Sequence, residues 1–197
     1  MKHVCALAAL IIATAAAAED VSESAPAPAI EQRTMIVGLR VSAMPLPSTM
    51  GSTTSGVAVE HAPTDHFSWS LGFNVAWAQL ATVPGQSSNT GTLWSVGVEP
   101  AARWHFKGAA PGGVWVGPAF PLSRSFSGQW TNTTIGADVL LGYTALFDNG
   151  LSIQCWAGPS LRYGWNTTRP SGATEDVTSP TGASFAVRVG FGLGYSF

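Results

Sequence analysis

Residues 185–197 read FAVRVGFGLGYSF, and every second residue is apolar: Phe185, Val187, Val189, Phe191, Leu193, Tyr195 and Phe197. Between them stand Ala186, Arg188, Gly190, Gly192, Gly194 and Ser196. A period of two belongs to a β-strand with one apolar face and one small or polar face. Chain ends ordinarily fray. A strand this regular needs a ladder partner along its length, so the pattern predicts pairing with another strand of the same chain.

The same period recurs upstream. In segment 34–44, Met35, Val37, Leu39 and Val41 alternate with Ile36, Gly38, Arg40 and Ser42. Segments 55–62, 66–78, 92–104, 113–122, 133–147 and 151–165 repeat the pattern, most clearly as Phe67, Trp69, Leu71, Phe73, Val75, Trp77. With the final run this predicts eight strands. Three connections are short: PTD, HFKGAAPG and the tight-turn signal DNG. Four are longer and polar: PLPSTMGSTT, ATVPGQSSNTG, SRSFSGQWTN and NTTRPSGATEDVTSPTGAS. An even strand number, with short turns at one end and long loops at the other, is the layout of an outer-membrane barrel.

Alternation alone also fits soluble sandwiches and lipocalin-type barrels, whose apolar face points inward. Charge and glycine separate the two. Charged residues are 10% of the chain, against about 25% in typical soluble domains. The face opposite the apolar one is rich in glycine and serine, where a soluble surface would favour Lys, Glu and Thr. Aromatic residues also gather toward both ends of the apolar face: Phe67, Trp69, Trp104, Phe147, Tyr195 and Phe197 near the short turns, and Trp77, Trp94, Phe120, Tyr163 and Phe185 near the long loops. Two such girdles suit a lipid-facing surface. The predicted fold class is therefore all-β: an eight-stranded antiparallel up-and-down transmembrane β-barrel.

The first residues, MKHVCALAALIIATAAAAED, carry a basic residue, a short apolar core and small residues before the acids. They read as a secretory signal peptide over 1–18, too short in its apolar core to span a bilayer. Residues 19–32, acidic and Ala/Pro-rich, read as a disordered periplasmic linker, and 33–197 as the barrel. Beyond the signal peptide Cys155 stands alone, so no internal disulfide is expected. Without residues 1–18, eight basic residues face eleven acids, a net charge of −3. With no basic patch, nucleic acid is not an expected partner.

The run VRVGFGLGYSF, with Leu193, Tyr195 and Phe197 alternating to the end, resembles the C-terminal signature of bacterial outer-membrane proteins. Region 33–197 as a whole resembles the small eight-stranded outer-membrane β-barrel family that includes the OmpA membrane domain and OmpX. The resemblance implies a monomer in the bacterial cell outer membrane. Its partners would be outer-membrane lipid and the barrel assembly machinery, which would read Phe197, Tyr195 and Leu193. It names no activity and no extracellular ligand.

Chemistry would sit inside. Arg40, Glu60, Glu99, Arg103, Asp138, Arg162 and Arg188 fall on the inward face. The lumen of an eight-stranded barrel is narrow and filled by side chains, so these charges are expected to pair. Asp138, Arg162 and Arg188 are expected at one height, with Arg40 and Glu99 lower. The favoured reading is a plug of ion pairs, with a structural or surface-interaction role for the loops. A small-solute pore and a lipid A-modifying enzyme are the alternatives. The enzyme needs His, Ser and a carboxylate together at the membrane face. His66 and Ser68 are read as a chance pair, with no acid nearby on the same face. His61, Asp65 and His66 are weighed as a metal site and read as interfacial polar residues instead. GFGLG is no dinucleotide fingerprint, because no helix follows. No catalytic group, metal or cofactor is expected. Pro100, Pro118 and Pro159 conflict with central strands, and bulges are the expected remedy.

Overall fold

The computed structural model describes residues 33–44, 52–79, 92–127, 130–168 and 176–197. The expected signal peptide and linker lie outside the described residues, as do most of the loops around 45–51, 80–91 and 169–175. The strands are β1 (Met35–Met44), β2 (Ser52–Thr64), β3 (Phe67–Gln79), β4 (Thr92–Lys107), β5 (Gly113–Ala119), β6 (Leu122–Ser127), β7 (Trp130–Leu146), β8 (Leu151–Thr168) and β9 (Val177–Ser196). All pair antiparallel with their neighbours, and the ring closes between β1 and β9.

β5 and β6 are one barrel strand. Both lie between β4 and β7, and the residue pairing continues across Phe120 and Pro121 without offset on either side. The ring therefore has eight strands. Prolines cause the break, because Pro cannot donate to a ladder. The carbonyls beside the break remain bonded: Phe120 N–H donates to Pro100 O at 2.9 Å and Gly136 N–H to Pro121 O at 2.8 Å. Pro100 pairs opposite Leu71, Pro118 opposite Val139 and Pro159 opposite Val187, with no shift of register at any of them. The expectation of bulges at these prolines is thus corrected. All three lie exposed on the outer face, where the ring meets no neighbouring side chain of the lumen. Register shifts lie elsewhere, at His61/Thr64, His105/Lys107 and Gly164/Trp165. At the last, Gly182 adopts φ +87°, a left-handed conformation that glycine accepts without steric cost.

Two connections differ from the sequence reading. SRSFSGQWTN is not a long loop: β6 and β7 continue until Ser127 pairs with Trp130, so only two residues of the sequence separate the paired ends. The predicted loop after residue 165 is largely strand as well, since β8 runs to Thr168 and β9 begins at Val177. Hydrophobic periodicity missed both because the apolar residues give way to Thr, Ser and Asn, while the ladder continues through the backbone. At the other end the turns are short, around Asp65–His66, Gly108–Gly112 and Phe147–Gly150.

The closing seam runs from Ile36 opposite Ser196 to Ala43 opposite Val189. Thr34 N–H donates to Phe197 O at 3.0 Å and Phe197 N–H to Met35 O at 2.9 Å. The Arg33 guanidinium donates to the carbonyls of Phe147 and Asp148. It ties the chain entering β1 to the β7–β8 turn.

Apolar residues face outward. Leu39, Phe73, Trp94, Trp104, Phe106, Leu141, Phe185 and Phe197 are among the exposed large hydrophobics. Leu193, Tyr195 and Phe197 share this outer face, and the Tyr195 and Phe197 rings meet edge-on at 5.2 Å. The side chain of Trp77, assigned to the upper girdle, lies outside the described residues. Val139 is 57% exposed on the outer wall, while the adjacent Asp138 is 2% exposed inside. A charge at a lipid-facing midplane site costs roughly 2–4 kcal/mol. Val139→Arg is expected to lower urea stability in lipid vesicles by about that amount. Wild-type stability in that variant would show that Val139 does not face hydrocarbon.

Candidate functional site: the filled lumen

Because side chains alternate, each strand sends every second residue into the lumen. The inward charges gather in two tiers. The lower tier centres on Glu60 of β2, which is fully buried. Arg103 of β4 donates to its Oε2. Arg40 of β1 reaches the same oxygen at 3.4 Å and Gln154 of β8 at 2.8 Å. Ser68 of β3 lies 2.7 Å from Oε1. The upper tier centres on Asp138 of β7. Arg162 of β8 donates to both its carboxylate oxygens, and Arg188 of β9 donates to Oδ2 at 2.8 Å. Arg188 also reaches Ser42 Oγ at 3.0 Å and lies 2.7 Å from Glu99 Oε2.

The seven inward charges named from the sequence therefore meet one another, but their grouping differs from the expectation for one of them. Glu99 does not sit low with Arg40. It joins Arg188 and Asp138 across the lumen, because strand tilt carries neighbouring strands out of step in height. The upper tier balances two carboxylates with two arginines. In the lower tier two arginines share Glu60.

Two tryptophans lie against the lower tier. Arg103 stacks over Trp115 at 4.1 Å from the ring centroid, and Arg40 stands 5.8 Å from Trp156. Such cation–π contacts are worth up to about 2 kcal/mol when desolvated. The rings fit because glycines face them. A Cβ on Gly142 would stand 2.3 Å from the Trp115 ring, and one on Gly190 would stand 2.2 Å from Trp156. Here the inward glycines supply space for bulky neighbours. Above the upper tier remains a cavity of about 70 Å³, with Asn74, Ser95, Ser123, Arg162 and Arg188 among its walls.

Sequence reasoning missed one constellation. Ser68, read as a chance neighbour of His66 with no acid nearby, meets a different histidine and does have an acid beside it. Its Oγ lies 2.9 Å from Nε2 of His105, a residue of β4, while it also contacts Glu60. His105 Nδ1 faces the Gly112 carbonyl at 2.8 Å. Strand pairing brings these residues together, and no local spacing reveals it. Serine stands between histidine and carboxylate, whereas a nucleophilic triad places histidine in the middle. All three side chains are fully buried. His61 packs edge-on against Trp69 at 5.8 Å. Among the described residues no three His, Cys, Asp or Glu side chains gather as metal ligands.

The class that these observations define is an eight-stranded antiparallel β-barrel. It is similar in fold to the outer membrane protein AlkL, solved by solid-state NMR in DMPC lipid bilayers. The TM-score is 0.50 at 10% identity, over 90% of this chain and 96% of that one. A second solved structure, Ail, the attachment invasion locus protein of Yersinia pestis, gives a TM-score of 0.36 at 7% identity. It covers 83% of this chain and 97% of that one, a likeness too weak to carry an argument. No protein-family profile and no curated protein sequence matches the chain.

Removing one partner of a buried ion pair leaves an uncompensated charge, a loss of about 3–5 kcal/mol. Asp138→Ala strips Arg162 and Arg188 of their shared carboxylate. It is expected to destabilise the barrel by that order in urea titrations, or to admit water and open an anion-preferring conductance. A variant unchanged in both stability and conductance would remove the upper tier from the account of the lumen.

Proposed function

We propose that this protein is a non-enzymatic outer-membrane β-barrel of the bacterial cell surface. Its lumen is plugged by its own side chains, and its work is structural or is done by binding through the loops at the end opposite the short turns. The observation that carries this reading is a lumen occupied by side chains beneath an outer wall that is apolar over most of its height and turns polar, at Arg124, Thr131 and Thr133, toward the end opposite the short turns. Trp115, Trp156 and two charge tiers occupy the volume that a solute path would need. The outer wall is apolar enough to require lipid, and the aromatic residues near its ends suit the headgroup regions. The fold shared with AlkL agrees with a membrane setting. Leu193, Tyr195 and Phe197 are the residues we assign to recognition by the barrel assembly machinery.

The alternatives fare less well on specific grounds. A small-solute pore would have to pass the Arg162, Arg188 and Glu99 floor of the upper cavity and then both tryptophans. A lipid A-modifying enzyme would need its nucleophile at the lipid face. Ser68 and His105 instead lie inside the lumen.

Planar-bilayer recordings test the plug. Wild type is expected to show no steady large-conductance channel, and Trp115→Ala combined with Trp156→Ala is expected to raise conductance. Steady wild-type channels would favour the pore. A lipid A mass shift on expression would favour the enzyme. Orientation is tested by epitope tags: a tag at Gly172 should label intact bacteria, and one beside Asn149 should not. The reverse labelling would overturn the topology.

A further inference from the structure

The contacts from Gly112 through His105 and Ser68 to Glu60 form a chain with an acceptor at each end. The Gly112 carbonyl has no proton to give, and neither has the Glu60 carboxylate. Three links lie between them: Nδ1 to Gly112 O at 2.8 Å, Nε2 to Ser68 Oγ at 2.9 Å, and Ser68 Oγ to Glu60 Oε1 at 2.7 Å. Three links need three hydrogens. A neutral imidazole brings one and the serine hydroxyl brings one. One hydrogen is missing.

We propose that this buried chain takes up one extra proton, seated on His105, and that releasing the proton opens one link and loosens the Gly108–Gly112 turn. With both ring nitrogens protonated, Nδ1 donates to Gly112, Nε2 donates to Ser68, and Ser68 donates to Glu60. Every link is then made. When one ring proton leaves, the imidazole can serve Gly112 or Ser68, and two acceptors face each other at the remaining link. Ser68 stays the donor to the charged Glu60 carboxylate, so its oxygen draws the remaining ring proton to Nε2; bare Nδ1 then faces the Gly112 carbonyl, and because an unsatisfied buried polar group is costly the turn moves away.

Of the two candidate seats, His105 is the one left: burial and the nearby Arg103 act against charge on its ring, while the Gly112 carbonyl and the Glu60 carboxylate act for it. Glu60 takes hydrogen bonds from Arg103, Arg40 and Gln154 on its other oxygen, and two guanidinium groups favour the ionised carboxylate. The charged and titratable groups around His105 come from several elements. β2 supplies Glu60 and β4 supplies Arg103. The β2–β3 turn supplies His66, whose carbonyl accepts the His105 backbone N–H at 2.9 Å. β5 presents Trp115, which has no charge. The protonated chain is complete at low pH, and it is lost as pH rises through the His105 midpoint.

The proton chain stands apart from whether the lumen conducts; only its effect on the plug rests on the proposed plugged barrel. The test is nitrogen-15 NMR of the intact chain in lipid nanodiscs, from about pH 4 to about pH 9, a range that extends well below the ordinary histidine pKa of roughly 6.5 because burial opposes charge on the ring. His105 is expected to carry two ring protons at the low end and to lose one on titration. The Gly112 and Gly113 amide signals should shift with the same midpoint. In Ser68→Ala the neutral ring can keep its proton on Nδ1, so the response at Gly112 should vanish while the ring still titrates. Three results would each overturn the proposal. One is a ring with the same proton count across the range. Another is a titration that leaves the Gly112 and Gly113 amides unmoved. The third is a Gly112 response that survives Ser68→Ala. Bilayer conductance is read separately: channels open at every pH would sink the plug and leave the proton chain intact.

Discussion

Closure of the ring is the constraint on which the rest depends. An open sheet of this length would expose a row of unpaired N–H and C=O groups at each edge. In hydrocarbon those groups would have no water to turn to. Pairing β9 with β1 along residues 36–43 removes both edges at once. It also holds Phe197, whose N–H and C=O are bonded to the first residues of the barrel. The prolines show how far the ring tolerates local loss. Pro118 and Pro159 lie across from Val139 on its two sides, and Pro100 and Pro121 flank the break between β5 and β6. Each removes a donor, yet the register on both sides holds the strands in place. Lost hydrogen bonds are local, whereas a register slip would turn every following side chain to the wrong face.

Closure also decides what the inside must be. Eight strands leave room for side chains and little else. The charges that alternation sends inward cannot be solvated individually, so they are stable only as neighbours of opposite charge. The two tiers are the result. Between residues of such bulk the wall has to give way, and it does so at Gly142 and Gly190. The same confinement makes the Gly112–His105–Ser68–Glu60 chain possible. In water its links would exchange with solvent; enclosed, they must be satisfied by the protein itself. In the proposed plug, charges and hydroxyls are both a closure and a set of groups whose proton count matters.

The fold was largely legible because barrel strands repeat one simple signal. Apolar residues at every second position identify both a strand and its outer face. That signal failed where the outer residues turn polar. Arg124, Thr131, Thr133, Thr167 and Thr178 belong to strands by pairing, although their hydropathy resembles that of loops. The inward charges were legible by parity alone, since a residue's face follows from counting. Their partners were not. Glu99 was expected low in the lumen, at a level with Arg40, and it meets Arg188 because the ring's tilt sets its height. Ser68 was read against His66, its neighbour in sequence, and it meets His105, 37 residues away.

The sequence by itself determined the strands, their faces and the even number that allows closure, because each of these follows from a local period of two. It also determined which charges would lie inside. Only the tertiary structure decided which of them meet, that β5 and β6 form one strand, and that a histidine, a serine and a glutamate join in one chain. Those outcomes depend on register, shear and side-chain volume across the lumen. Such quantities are set by the closed ring as a whole, and no single segment contains them.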